Sequence, residues 1–352
     1  MVKEIVVIGN PVAGGGAARK KIQEAVRILQ AQGGNVRLLL TKRREDAVSF
    51  ARTVAEEEGR ARLLSSVRQT AEDRPLPLVI AAGGDGTYNE VANGLALTPV
   101  PMAILPLGTT SVLARELGVP FDLGRALECA LNGEIATVHL GRVSFGSPAL
   151  PPENRSGRGE ETPHASLRRT RYFLLMAGAG FDGEVIFGVD EGLKKHLRKG
   201  AYLLSGLRTL SRYAPRPLMV RARPLPPPSA SGALPLPGAR QERAISAYAV
   251  IVGKSARYGG DFTVTPDVSL SAPWLSIFAT HGRRRRDLFR YVLRVVLGRG
   301  AHPGLRDVSR FRTEEISISG EAHVQIDGDY GGTTPVTIGI EKAALKLMVP
   351  KQ

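Results

Sequence analysis

The apolar run Leu78-Val79-Ile80-Ala81 stops at Gly83-Gly84-Asp85-Gly86-Thr87, and a helical stretch follows from Tyr88 to Gly94. A buried strand that turns on glycine straight into a helix is the unit of a parallel sheet covered on both faces. The unit recurs. Ile5-Val6-Val7-Ile8 leads through Gly9 to Gly16 into Ile22, Ala25, Val26 and Leu29 at helical spacing, and Gly33-Gly34 can stop that helix. Val36 to Leu40 is another strand, and Ala47, Phe50, Ala51 and Val54 mark the helix after it. Met102-Ala103-Ile104-Leu105 is a fourth strand before a further helical stretch. Residues 1–135 therefore read as an N-terminal doubly wound α/β domain.

The texture changes after about Ala136. Tyr172–Ala177, Ala244–Val252, Leu275–Ala279, Glu315–Ile318 and His323–Ile326 are short, β-like and mostly bounded by Gly, Pro, Ser or Asp. Helical stretches fall near Leu193–Tyr213 and Asp287–Leu297. Residues 136–337 read as a second, mainly β domain. Residues 146–170 and the proline-rich residues 222–241 read as solvated loop insertions.

In a parallel sheet, ligands bind outside the carboxyl ends of the strands. Three glycine-bearing segments fall there. The first is Gly9-Asn10-Pro11-Val12-Ala13-Gly14-Gly15-Gly16. Glycine lets backbone N–H groups approach a phosphate, and a helix N-terminus favours its charge. No Lys-Ser/Thr follows, so this is not a Walker A loop, and Arg19 stands where a dinucleotide fingerprint wants a small residue. The second segment, Gly83, Gly84, Asp85, Gly86 and Thr87, is a backbone cradle with an acid in it. Asp85 can hold Mg²⁺ against nucleotide phosphates or orient the phosphoryl group in transfer. An Asp-Gly turn with a capping side chain accounts for part of that segment only. The third is Pro106-Leu107-Gly108-Thr109-Thr110-Ser111, whose hydroxyls suit phosphate binding and helix capping equally.

Together these segments resemble the diacylglycerol kinase catalytic-domain superfamily, which includes sphingosine kinases and bacterial lipid kinases. The resemblance rests on Asn10 to Gly14, on Gly83 to Thr87 with Asn89-Glu90, and on Leu107 to Thr109 running to Ala114-Arg115-Glu116-Leu117-Gly118. It continues through Gly178-Ala179-Gly180-Phe181-Asp182, Tyr258-Gly259-Gly260 and Thr265-Pro266-Asp267, and ends at Val324-Gln325-Ile326-Asp327-Gly328-Asp329. It covers nearly the whole chain outside the two insertions. Gly-Gly-Asp-Gly by itself is shared with NAD kinases and phosphofructokinases.

The resemblance implies an N-terminal α/β nucleotide domain of NAD kinase/phosphofructokinase type and a C-terminal β-sandwich. It also implies that residues from about 338 to 352 return to the first domain. ATP with Mg²⁺ would lie between the domains, and a lipid hydroxyl would enter from the second. Asn10, Gly14, Gly15, Gly16, Gly83, Gly84, Gly86, Thr87, Gly108, Thr109 and Ser111 would line the nucleotide, with Glu90 near the ribose or adenine. Asp85 would act with Mg²⁺ at the γ-phosphate, and Asp329 would be the general base. The chain departs from the family at three places. Ser111 replaces an Asn, Asp329 replaces a Glu one methylene longer, and Ser271-Ala272-Pro273 replaces an Asp-Asp-Gly whose loop holds a structural Mg²⁺ in the bacterial enzymes. Ala272 and Pro273 have no side-chain oxygen, so that second metal is expected to be lost or held differently.

The net charge of +15, carried mostly by arginine, favours anionic partners. Arg283-Arg284-Arg285-Arg286 opens the helical stretch that contains Leu288, Tyr291, Val292, Val295 and Val296 on one face. That pattern suits either docking on an anionic membrane or an ordinary sheet-packed helix. No zinc-finger or RNP-like spacing speaks for nucleic acid. The single Cys129 excludes an internal disulfide framework and fits a reducing cytosol. No apolar run is long enough to span a bilayer. The expected protein is an ATP-dependent lipid kinase, cytoplasmic and peripheral to the membrane. A catalytically impaired lipid- or nucleotide-binding relative and an NAD kinase are the alternatives. The lipid and the oligomeric state, a homodimer included, are left open.

Overall fold

A computed structural model describes residues 4–67, 75–108, 110–146, 170–187, 214–226, 241–258, 262–296 and 307–351. Thr109, most of the two insertions and the helical stretch proposed near Leu193–Tyr213 lie outside them.

The first domain alternates strand and helix. Its elements are β1 (Glu4–Gly9), α1 (Ala18–Ala31), β2 (Asn35–Leu40), α2 (Asp46–Val67), β3 (Leu78–Gly83), α3 (Asp85–Leu95), β4 (Pro101–Pro106), α4 (Val112–Leu117) and α5 (Leu123–Asn132). β2, β1, β3 and β4 are adjacent in that order and parallel. β3 and β4 are buried at every position, the continuous apolar pattern of strands covered on both faces. Gly9 lies beside Ala82, and Gly83 beside Pro106, so the three glycine-bearing turns leave the sheet at one level.

A long strand, β5 (Glu134–Phe145), carries the chain into the second domain. There follow β6 (Thr170–Phe173), β7 (Met176–Gly180), α6 (Phe181–Phe187), β8 (Leu218–Ala222), β9 (Arg243–Ala247) and β10 (Ala249–Gly253). Next come β11 (Arg257–Tyr258), β12 (Phe262–Thr263), β13 (Leu275–Thr280), α7 (Arg285–Val296), β14 (Val308–Thr313), β15 (Glu315–Gly320), β16 (His323–Ile326), β17 (Asp329–Thr333) and β18 (Val336–Val349). One face of the sandwich is a six-stranded sheet in the order β14-β13-β10-β7-β16-β17. The other is continuous with the first domain's sheet, because β18 belongs to both. Its first half pairs with β15, its second half lies parallel to β4, and β5 runs beside it throughout. A break in register between Glu341 and Leu345, with Ala343 in the left-handed region, re-aims the strand between the two roles.

The sandwich core interdigitates Val220, Ile316, Ile318 and Ile338 from one sheet with Val250, Val252, Ile277 and Ile326 from the other. Full burial of such side chains contributes about 1.5–3 kcal/mol each. The run Ala244–Val252, which reads as one strand, is two. β9 sits in the large sheet, β10 in the six-stranded sheet, and the chain crosses between them at Tyr248. A run apolar enough for either core carries no local mark of the crossing.

Candidate active site

The three glycine turns meet. Gly14, at φ 59°, packs so closely that a Cβ there would lie 2.4 Å from the Leu107 carbonyl oxygen. A Cβ on Gly108 would lie 2.8 Å from the Gly84 Cα. Only glycine permits both approaches. Gly15 and Gly16 are also left-handed but face open space, and they directly precede α1. The Asn10 side chain accepts the Val12 N–H at 3.1 Å and holds the first turn in shape. Gly83 is roofed by Thr87, which is buried, while Gly86 is exposed. The buried Tyr88 hydroxyl donates to the Gly83 carbonyl at 2.8 Å and ties the turn to its own helix.

Asp85 opens α3 and reaches across to the third turn. Its Oδ2 accepts the Val112 N–H and its Oδ1 the Leu113 N–H, both at 2.9 Å, so one carboxylate caps α4. Burial raises its pKa, and the two backbone donors oppose that. A carboxylate has about four lone-pair sites, so capping leaves acceptor capacity for a further partner. Ser111, the N-cap of α4, stands at φ 38°, ψ 67° with its side chain buried. A left-handed non-glycine residue beside a ligand cradle is stored strain.

Glu90, half-buried on α3, accepts the Ala47 N–H at 3.2 Å and so caps α2. Burial raises its pKa, and Asp329 and Arg44 lie near enough to act on it. Asp46 fixes the turn before α2 by accepting the Lys42 and Arg43 N–H groups at 2.8 and 3.0 Å. That turn presents Arg44, whose Nη2 lies 2.7 Å from Oδ1 of Asp329 on β17. The structure thus brings Asp329 of the second domain to the edge of the first.

Beneath this ion pair lies a junction in which the sequence had marked no role for individual residues. Asp327 is half-buried as a residue, with its carboxylate enclosed by backbone donors, and left-handed at φ 48°. Its oxygens accept N–H groups of Leu174 (2.8 Å), Leu175 (2.9 Å) and Met176 (2.9 Å), and the Asn89 side-chain amide at 2.8 Å. Burial outweighs these donors and pushes its pKa up to about 6. Asn93 donates to the Tyr172 carbonyl at 2.9 Å and accepts the Tyr172 N–H at 2.8 Å. Asn89 and Asn93, one turn apart on α3, therefore latch the second domain to the first. The motifs contained Asn89 and Asp327 but not Asn93, and the partners of these residues stand 79 to 238 positions away in sequence.

Two domain families match this chain. Residues 4–143 match the diacylglycerol kinase catalytic domain. Residues 176–349 match the YegS C-terminal NAD kinase beta sandwich-like domain. The chain belongs to the diacylglycerol kinase catalytic-domain superfamily. As a member of that superfamily it is a lipid kinase, built of a catalytic α/β domain and a sandwich domain. It is 24% identical over 337 residues to the diacylglycerol kinase of Bacillus subtilis, covering 95% of this chain and 92% of that one. It is 26% identical over 352 residues to the diacylglycerol kinase of Mycobacterium tuberculosis, covering 99% and 96%. The crystal structure of a diacylglycerol kinase from Bacillus anthracis superposes with a TM-score of 0.61 at 19% identity, covering 99% of this chain and 97% of that one; this likeness is one of fold.

The helix α7 bears on a choice the sequence left open. Leu288 and Tyr291 pack with Ala249, Phe181 and Val308, and the Tyr291 hydroxyl donates to the Asp307 carbonyl. These two apolar positions belong to the protein core. Arg283, Arg284, Arg286, Phe289 and Arg290 are left exposed. Among the described residues, no helix is long and apolar enough to cross a membrane.

Proposed function

We propose that this lipid kinase transfers the γ-phosphate of ATP to a hydroxyl of a diacylglycerol-like lipid, in the cleft between its two domains. The observation that carries the reading is the convergence of three glycine turns at the carboxyl ends of β1, β3 and β4, with Asp329 of β17 held by Arg44 at the edge of the same domain. Phosphoryl transfer needs positioning and charge stabilisation more than covalent chemistry, and this arrangement supplies both. N–H groups of Gly14, Gly15 and Gly16 and of Gly84 and Gly108 cradle the nucleotide phosphates, and the start of α1 adds its dipole. Asn10, Gly83, Gly86 and Thr87 shape or extend that cradle, and Ser111 supports its far side. Glu90 lies toward the sugar and base.

Mg²⁺ carried in with ATP would neutralise charge on the phosphates, and Asp85 is the carboxylate with spare acceptor capacity to hold it. The lipid hydroxyl oxygen attacks the γ-phosphorus as the bond to the leaving ADP oxygen breaks. Asp329 takes the hydroxyl proton. Arg44 holds the Asp329 carboxylate at the mouth of the cleft and yields it when substrate enters. The exposed Arg283, Arg284 and Arg286 suit an anionic bilayer, where the enzyme would meet its substrate as a peripheral protein.

The test is transfer of labelled γ-phosphate from ATP-Mg²⁺ into a bacterial lipid extract, beside Asp85→Ala and Asp329→Ala. A labelled lipid product that both substitutions abolish supports the reading. ATP binding without transfer would identify a catalytically impaired relative, with the Arg44–Asp329 pair as a permanent lock. Labelling of NAD in place of lipid would make the enzyme an NAD kinase.

A further inference from the structure

The loop in which the family resemblance implies a structural Mg²⁺ receives a different cation here. Lys254 follows β10 and is one of the largest fully buried side chains of the described residues, at 0% exposure. Its Nζ donates to three backbone carbonyls of one loop: Ser269, Leu270 at 3.1 Å and Ala272 at 2.9 Å. An ammonium has three protons, and each meets one oxygen. Among the described residues no carboxylate touches it; Glu116 of α4 acts on it only from a distance, and is itself engaged by the Ala256 N–H and Arg257. The other donors a metal would need are missing. Ser271 is turned to the Ser269 hydroxyl at 3.0 Å, and Ala272 and Pro273 carry no side-chain oxygen. Among the described residues no group of three His, Cys, Asp or Glu could hold a metal. A divalent cation among these carbonyls would stand against the Lys254 charge, so the site does not fit Mg²⁺.

We propose that the Lys254 ammonium is a tethered structural cation, which organises the Ser269–Ala272 loop as a bound metal would and frees the protein from needing one there. The loop it holds is central to the domain junction. The Leu270 carbonyl also accepts the His139 N–H at 3.0 Å, from β5, and His139 in turn accepts the Ala343 N–H at 2.8 Å at the break in β18. On the other side, the N–H groups of Lys254 and Ser255 both donate to the Leu175 carbonyl at 2.8 and 3.0 Å. Leu175 donates its own N–H to Asp327. One cation thus braces the crossover strand, the loop and the turn that carries Asp327 to Asp329. Burial lowers the Lys254 pKa to about 7, but only the charged form satisfies all three carbonyls, since a neutral amine has two N–H groups.

The test uses the full chain and reads stability and metal content, so it stands apart from the proposed activity. Wild-type protein is dialysed against EDTA and melted with and without millimolar MgCl₂, in the absence of ATP. Its melting temperature should be unchanged, and metal analysis should find less than stoichiometric Mg²⁺ or Ca²⁺. Lys254→Met keeps the stem and removes the charge; it should lower the melting temperature by more than about 5 °C, given roughly 2–4 °C per kcal/mol for a domain of this size. Lys254→Ala leaves the carbonyls around a void. Added ammonium or methylammonium should restore part of its melting temperature, and tetramethylammonium at equal ionic strength should not. Stoichiometric metal in the wild-type protein with a melting temperature that falls in EDTA would overturn the proposal. So would a Lys254→Met protein as stable as wild type. If neither variant folds, the wild-type metal content and EDTA response still decide the matter.

Discussion

Removing the Asp327 carboxylate tests the domain junction most directly. In Asp327→Ala, the N–H groups of Leu174, Leu175 and Met176 lose their acceptor, and all three residues are buried. A buried unpaired donor costs about 1–3 kcal/mol, which gives roughly 3–9 kcal/mol before any relaxation. Water entering the space, and the end of a buried charge, offset part of this. The expected loss is about 3–5 kcal/mol, the range found when one partner of a buried charged contact is removed. Urea unfolding followed by circular dichroism at neutral pH measures it, with an unchanged slope showing that the unfolded state is comparable. The pH dependence gives a second reading. Burial raises the folded-state pKa of Asp327 from the usual 3.8 to about 6. A raised pKa means that this group's stabilisation is full below about 4 and declines as pH rises through about 6. The stability gap between wild type and Asp327→Ala should therefore narrow from pH 4 to 6 and level off above. A loss under about 0.5 kcal/mol would sink the four-donor account. A gap that widens with pH would show that the donors outweigh burial.

Three further outcomes follow from the site. Gly14→Ala sets a Cβ against the Leu107 carbonyl, whereas Gly15→Ala meets only its own left-handed backbone strain of about 1–2 kcal/mol; calorimetry should show nucleotide affinity falling at least tenfold further for Gly14→Ala, and equal losses would mean the turns do not need their close contact. Arg44→Ala removes an exposed ion pair worth about 0–1 kcal/mol, so the melting temperature should hardly move while lipid phosphorylation changes; an unaltered rate with a large thermal shift would make the pair structural. Replacing Arg283, Arg284 and Arg286 with Ser should weaken sedimentation with anionic vesicles and steepen no salt dependence, whereas binding equal to wild type would remove this edge as a membrane contact.

The strand and turn pattern of the first domain was legible because its signals are local. Three of the four apolar runs lead into glycine-bearing turns at the same sheet edge, and no distant residue is needed to read Gly83 to Thr87 as a cradle. The sandwich was legible as a class but not in its details. The crossing at Tyr248 depends on which core each half of Ala244–Val252 enters, and neither half announces its sheet. Glu90, read as a nucleotide contact, also caps α2, and Asp85 also caps α4, because helices from elsewhere in the chain are packed against them.

By itself the sequence determined the parallel sheet, the glycine turns and the family, since backbone preference and apolar periodicity act over a few residues. It also showed that oxygen ligands were missing at Ala272 and Pro273. Only the tertiary structure decided what stands in their place. Lys254 is 15 to 18 positions from the carbonyls it meets, and Asp327 more than 150 from three of its donors. Such partners are chosen by how the two domains share β18, and a buried charge accepts whichever dipoles that packing leaves within reach.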